Sequence, residues 1–79
     1  MSVHVLYFAS LRDAAGVDRE TVAGDVGDLR TLYVDLQRRH GFALPVERVR
    51  VAVDGAFARW EDPVRDDSEV AFIPPVSGG

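Results

Sequence analysis

Residues 28–41, Asp-Leu-Arg-Thr-Leu-Tyr-Val-Asp-Leu-Gln-Arg-Arg-His-Gly, carry the clearest helical period in the chain. Leu29, Leu32, Tyr33 and Leu36 recur at i, i+3, i+4 and i+7 and so share one face, while Arg30, Asp35, Gln37 and Arg38 lie on the others. Asp28 begins the element. Arg38, Arg39 and His40 sit near the negative end of its dipole, with Gly41 and then Pro45 marking the stop. This is a core-facing helix, and the fold turns on which strands lie to either side of it.

Upstream, Arg19–Ala23 reads as a short return strand. Before it, Ser10 is placed to cap a helical turn carrying Leu11, Ala14 and Ala15, with Gly16 ending that turn in a left-handed conformation. Val3–Ala9 is apolar on both parities apart from His4, the pattern of a strand covered on much of both faces and central in a sheet. Downstream, Val49, Val51 and Val53 alternate with Arg50 and Ala52. Asp54-Gly55 is a type I′ turn signal, and Ala56–Trp60 reads as the returning strand. Pro63 and the polar run Arg65–Ser68 make a turn, after which Glu69–Ile73 is a last strand stopped by Pro74-Pro75, since proline donates nothing to a ladder.

The order ββαβββ, with the last strand beside the first, predicts an α+β, ubiquitin-like β-grasp fold: a mixed sheet of about five strands, one main helix packed across it and a flexible C-terminal tail. The order by itself also fits other small α+β folds. A single domain is expected over residues 1–79, in which residues 1–73 are globular and residues 74–79 form an extended tail.

Composition narrows the function. Zero cysteines remove disulfides, zinc-thiolate sites and a cysteine nucleophile together, and fit a reducing cytoplasm. A net charge of −4, from 13 acids against 9 bases, is poorly suited to nucleic acid. The apolar run near Met1 is too short, and too lacking in preceding cations, for a signal sequence or a membrane span. Every cation is arginine, so the chain has no side-chain amine for a Schiff base or an isopeptide bond.

No self-contained catalytic constellation is visible. His4 lies inside a strand and His40 at a helix end, so both read as structural and no metal site is expected. Asp54, Glu61, Asp62, Asp66, Asp67 and Glu69 cluster in turns without a nucleophile beside them. The unusual feature is the end, Ile73-Pro74-Pro75-Val76-Ser77-Gly78-Gly79. The prolines stiffen the exit from the sheet, while Ser77, Gly78 and Gly79 are slim enough to thread a narrow channel. Six extended residues span about 20 Å, enough to reach a neighbouring protein's active site. A carboxylate is a poor electrophile until activated, as in an acyl-adenylate, and an external enzyme would have to supply the activation and its ATP.

Val5-Leu6-Tyr7-Phe8-Ala9, Leu11-Arg12, Gly16, Ala52-Val53-Asp54-Gly55 and the run from Asp67 to Gly79 closely resemble the small subunits of molybdopterin synthases, in the MoaD/ThiS sulfur-carrier family. The resemblance implies that Gly79 is adenylated by a ubiquitin-activating-like adenylyltransferase, becomes a thiocarboxylate and donates sulfur to a pterin precursor in molybdenum cofactor biosynthesis. It implies insertion of Pro75, Val76, Ser77 and Gly78 into a large subunit, within a heterotetramer, and no cofactor bound directly. Ser77 stands where the family often has threonine, and Asp54 where asparagine is usual.

Strand parity predicts the docking face. If Val3, Val5 and Tyr7 face the helix, then Leu6 and Phe8 face away, and Ile73 lies opposite Phe72. Phe8, Ile73 and Phe57 would then form the apolar contact with partners, the role of the matching family positions; the competing reading makes them ordinary core. Arg12 has three readings: a pair with a partner's acid, a local contact to Asp13, or a solvated surface residue. Other functions open to the same chain are sulfur transfer for thiazole synthesis or tRNA thiolation, a ubiquitin-like protein modifier, and a plain interaction module.

Overall fold

The computed structural model describes residues 1–25 and 27–75. Five strands and two helices follow one another as β1 (Ser2–Tyr7), α1 (Ala9–Ala15), β2 (Arg19–Ala23), α2 (Leu29–His40), β3 (Arg50–Val53), β4 (Ala56–Phe57) and β5 (Glu69–Ile73), with one 3₁₀ turn at Val46–Arg48. The strands form a single sheet in the order β2-β1-β5-β3-β4. β1 and β5 run parallel, and the other neighbours are antiparallel. This is the expected mixed β-grasp sheet, with the last strand seated between β1 and β3.

The core lies between the sheet's inner face and α2. Val3, Val5, Tyr7, Val51, Val70 and Phe72 from the strands meet Leu29, Leu32, Tyr33 and Leu36 from the helix, all nearly inaccessible to solvent. Tyr33 is the hub: its ring packs against Phe42, Trp60 and Phe72 at centroid distances of 5.9, 5.6 and 5.1 Å, while its hydroxyl donates to the Leu44 carbonyl at 2.7 Å. Burial pushes the Tyr33 pKa up to about 12.

Helix α2 starts and stops where the sequence predicts. Asp28 caps it by accepting from the Thr31 N–H at 2.8 Å, and this hydrogen bond holds the Asp28 carboxyl below its ordinary pKa. Gly41 closes the other end with φ 75°, in the left-handed region, and donates to the Gln37 carbonyl. The β3–β4 turn has φ 51° at Asp54 and 89° at Gly55, as a type I′ turn requires.

Three local expectations are corrected. α1 begins at Ala9 with Phe8 at the cap position and no side-chain cap, so Ser10 lies inside the helix rather than capping it; of its apolar residues only Leu11 is buried. β3 begins at Arg50, because the preceding 3₁₀ turn holds the Val49 N–H on the Val46 carbonyl. β4 ends at Phe57 rather than Trp60. The chain there serves the helix instead of the sheet: the carbonyls of Asp62 and Trp60 accept from the Leu29 and Arg30 N–H groups, both at 3.0 Å. Those donors have no partner inside the helix, so meeting them outweighs extending a short edge strand.

Candidate functional site

β5 carries the chain to Ile73 beside the end of β1, so the segment that follows leaves the sheet near Tyr7 and Phe8. Pro74 is half-buried and Pro75 exposed. The expected roles of Val76, Ser77, Gly78 and Gly79 lie outside the described residues.

Register arranges the sheet's outer face in rows. Arg19, Leu6, Ala71, Ala52 and Phe57 stand side by side across all five strands. Ile73 and Arg50 form the next row toward the exit. Phe8, extended at φ −127° and ψ 150°, continues the outward parity of β1 beside them. Toward the opposite end, Thr21, His4 and Glu69 make a polar row. Leu6, Ala52, Ala71 and Ile73 are half-buried, Phe8 is 44% exposed and Phe57 is 67% exposed. Phe8, Phe57 and Ile73 are therefore on one outward face and not in the core. Their parity mates Tyr7 and Phe72 are 1% and 0% exposed.

Arg12 lines a shallow hollow with Leu6, Phe8, Asp18 and Arg19, next to that face. Its amide sits one helical turn after Phe8 and donates to the Phe8 carbonyl at 3.4 Å. Among the described residues Arg12 makes no ion pair, with Asp13 or any other acid. Sequence reasoning missed Arg50, whose guanidinium carbon lies 4.9 Å from the centre of the Phe57 ring. Such a contact is worth about 0.5–1 kcal/mol at an exposed site. The signal was present: Arg50 shares the outward parity of Ala52 between the inward valines.

The two histidines are structural fasteners. His4 Nε2 lies 2.9 Å from Asp67 Oδ1 and its Nδ1 lies 3.3 Å from Thr21 Oγ1, tying β1 to β2 and to the turn before β5. His40 Nε2 lies 2.7 Å from Glu20 Oε1, which also accepts from the Tyr7 hydroxyl, and the His40 ring stacks on Phe42. Other turn carboxylates hold backbone: Asp54 accepts from the Glu69 N–H, Asp66 from Ser2 and Asp62 from Arg59. Among the described residues no group of three or more His, Cys, Asp or Glu is arranged to hold a metal ion.

The Tyr7–Glu20–His40 cluster was also unread from sequence, and it yields a pH prediction. Partial burial works to raise the Glu20 pKa, but the hydrogen bonds from Tyr7 and His40 and the fields of His40 and Arg39 outweigh it, so the carboxyl sits below its ordinary 4.5. A lowered folded-state value stabilises the fold above pH 4.5, and that contribution is lost as pH falls through the folded value. The melting temperature should therefore drop on acidification below pH 4.5, and Glu20→Gln should flatten that limb of the curve. An unchanged acid limb in Glu20→Gln would assign the drop to other carboxylates.

Comparison with known proteins fits this geometry. The sequence profile of the ThiS family matches residues 5–79. The molybdopterin synthase sulfur carrier subunit of Escherichia coli is 36% identical, with 98% of this chain and 99% of that protein covered. The protein of the same name from Mycobacterium tuberculosis is 37% identical, with 100% and 99% covered. Among solved structures, SAMP1 from Haloferax volcanii superposes with a TM-score of 0.81 at 25% identity, covering all of both chains. A complex of subunits 1 and 2 of the molybdopterin-converting factor from Helicobacter pylori contains the same fold, with a TM-score of 0.69 at 22% identity and full coverage of both chains. With the profile running through nearly every residue and curated relatives matched end to end, the chain belongs to the ThiS family.

Proposed function

We propose that this protein is a sulfur carrier, the small subunit of a molybdopterin synthase, and that its working group is the carboxylate of Gly79. The observation that carries the reading is the full-length match to curated sulfur carrier subunits, together with a family profile that extends to Gly79.

The chemistry follows from the carboxylate. Its oxygen attacks the α-phosphorus of ATP on an adenylyltransferase partner, releasing pyrophosphate and leaving an acyl-adenylate. A sulfide equivalent then displaces AMP, and the terminus becomes a thiocarboxylate, a far better nucleophile than the acid it replaces. In the large subunit that sulfur attacks a carbon of the pterin precursor and displaces an oxygen substituent from it, and hydrolysis of the resulting acyl–sulfur bond returns the carboxylate and leaves the sulfur on the pterin. The body contributes presentation. Pro74 and Pro75 fix the start of an arm whose six residues span at most about 20 Å, against a radius of gyration of 11.5 Å for the whole. Phe8, Phe57 and Ile73 dock the partner, Arg12 meets an acid on it, and Pro75, Val76, Ser77 and Gly78 thread its channel. No helix among the described residues is long and apolar enough to cross a membrane; we place the protein in the cytoplasm, where ATP and a reducing environment serve this chemistry.

The test is intact mass after co-expression with an activating enzyme and a sulfur source. Exchange of one terminal oxygen for sulfur is expected, followed by loss of that sulfur on incubation with a large subunit and pterin precursor. An unchanged mass under conditions that load a known carrier would overturn the reading. The likeness to SAMP1, known in Methanosarcina acetivorans as small archaeal modifier protein 1, favours a second reading as a protein modifier. Isopeptide adducts on other proteins would support it, although the chain offers no lysine for linkage to itself.

A further inference from the structure

The outer sheet face is polar lengthwise. One end is acidic, with Asp54, Asp66, Asp67 and Glu69 all exposed around the His4 row. The middle row holds Leu6, Ala71, Ala52 and Phe57. The end nearer the tail carries the cations Arg50, beside Ile73, and Arg12, beside Phe8, with Asp18 lining the same hollow as Arg12. Among the described residues neither helix covers this face, since α2 packs on the other side and the buried residue of α1, Leu11, joins the inner core.

Along β3 the outward residues run acid, apolar, base as Asp54, Ala52 and Arg50, an order complementary to itself when turned end for end. We propose that the free carrier pairs through this face with a second copy of the same chain, about a two-fold axis lying along the row from Leu6 to Phe57. Such an axis reverses strand direction, so it sets apolar row on apolar row and brings the acidic end of each copy against the basic end of the other. On β3, Arg50 of one copy then lies over Asp54 of its mate, with Glu69 adjacent; beside β1, Arg12 approaches Asp67. The alternative axis, along the strands, stacks acid on acid and base on base and is disfavoured by like-charge repulsion. Arg19 comes opposite its counterpart, but it enters already within 3.9 Å of a Glu69 oxygen. The overall charge of −4 opposes association, so the pair is weak and forms at high concentration. Its effect is to hide apolar surface until a partner competes for it. The pairing involves the folded body alone and is independent of the sulfur-carrier reading.

Sedimentation velocity on the full chain over a range of concentrations tests it. A reversible monomer–dimer equilibrium is expected, with Arg50→Glu lowering the association constant about tenfold or more and the addition of Glu69→Arg to that variant restoring most of it, the sort of recovery that close charge pairs give. The double variant keeps the net charge of the parent, so recovery cannot come from a change in overall repulsion. As the chain has no cysteine, Ala52→Cys, on the axis, should be joined to itself by a short bismaleimide, while Asp35→Cys on the exposed side of α2 should not. A monomer at every concentration, a dimer indifferent to Arg50→Glu, or equal cross-linking at both cysteines would overturn the proposal.

Discussion

Deleting Gly79 should reduce sulfur transfer to background while leaving the melting temperature unchanged. In the proposed mechanism the reacting carbonyl is that of Gly79. Truncation moves it back by one residue, about 3.5 Å, and a displacement of about 1 Å at a reacting centre can already cost on the order of a hundredfold in rate. Stability is spared because the buried core residues among those described all lie at or before Phe72, and the last strand ends at Ile73. Appending one alanine after Gly79 provides the complementary measurement, since it keeps a terminal carboxylate but moves it outward and adds a β-carbon. That variant should also fail, in adenylation and in transfer alike. Full activity of either variant with purified partners would show that the site is not at Gly79.

Phe72 and Phe57 should behave as opposites. Phe72 is fully buried, edge-on to Tyr33 at 5.1 Å and stacked on Trp60 at 5.9 Å. Phe72→Ala should cost about 3–5 kcal/mol through lost transfer energy and a residual cavity. For a domain this small that is a fall of more than about 10 °C in Tm, out of a total stability of about 5–15 kcal/mol. Phe57→Asp removes a ring that is 67% exposed and that lies under the Arg50 guanidinium. Its Tm should move by less than about 5 °C, while affinity for the large subunit falls about tenfold or more, as loss of an aromatic anchor does. Thermal melts and calorimetric titration of both variants separate the two. A Phe57→Asp protein that binds normally would remove that residue from the docking face, and a Phe72→Ala protein that melts like the parent would contradict the packing described here.

Much of this was legible in the order of the residues. The i, i+3, i+4, i+7 spacing of Leu29, Leu32, Tyr33 and Leu36 defined both a helix and its buried stripe, because side-chain direction on a helix depends on position alone. The twofold alternation of Val49–Val53 and Glu69–Ile73 likewise separated the buried Val51 and Phe72 from the outward Arg50 and Ile73. Asp28, Gly41 and Asp54-Gly55 marked turns through local backbone chemistry that needs no distant partner.

What stayed hidden depended on groups far apart in the chain. That β4 stops at Phe57 follows from the demand of the α2 N-terminus for carbonyls, which arrive from Trp60 and Asp62, about thirty residues away in a molecule where loops close at modest entropic cost. Glu20 reads as an ordinary strand acid until β1, β2 and the end of α2 bring Tyr7 and His40 to its carboxylate. The sequence alone thus determined which elements form, which side of each is apolar, and that two prolines and then a slim glycine pair follow β5. Only tertiary structure decided that the other side of β5 pairs with β3, and at which register, so that Leu6, Ala71, Ala52 and Phe57 join into one surface with Arg50 and Ile73 beside it. The physical reason is that parity is a property of each strand by itself, whereas strand order and register are settled by which buried faces pack together best against a shared helix.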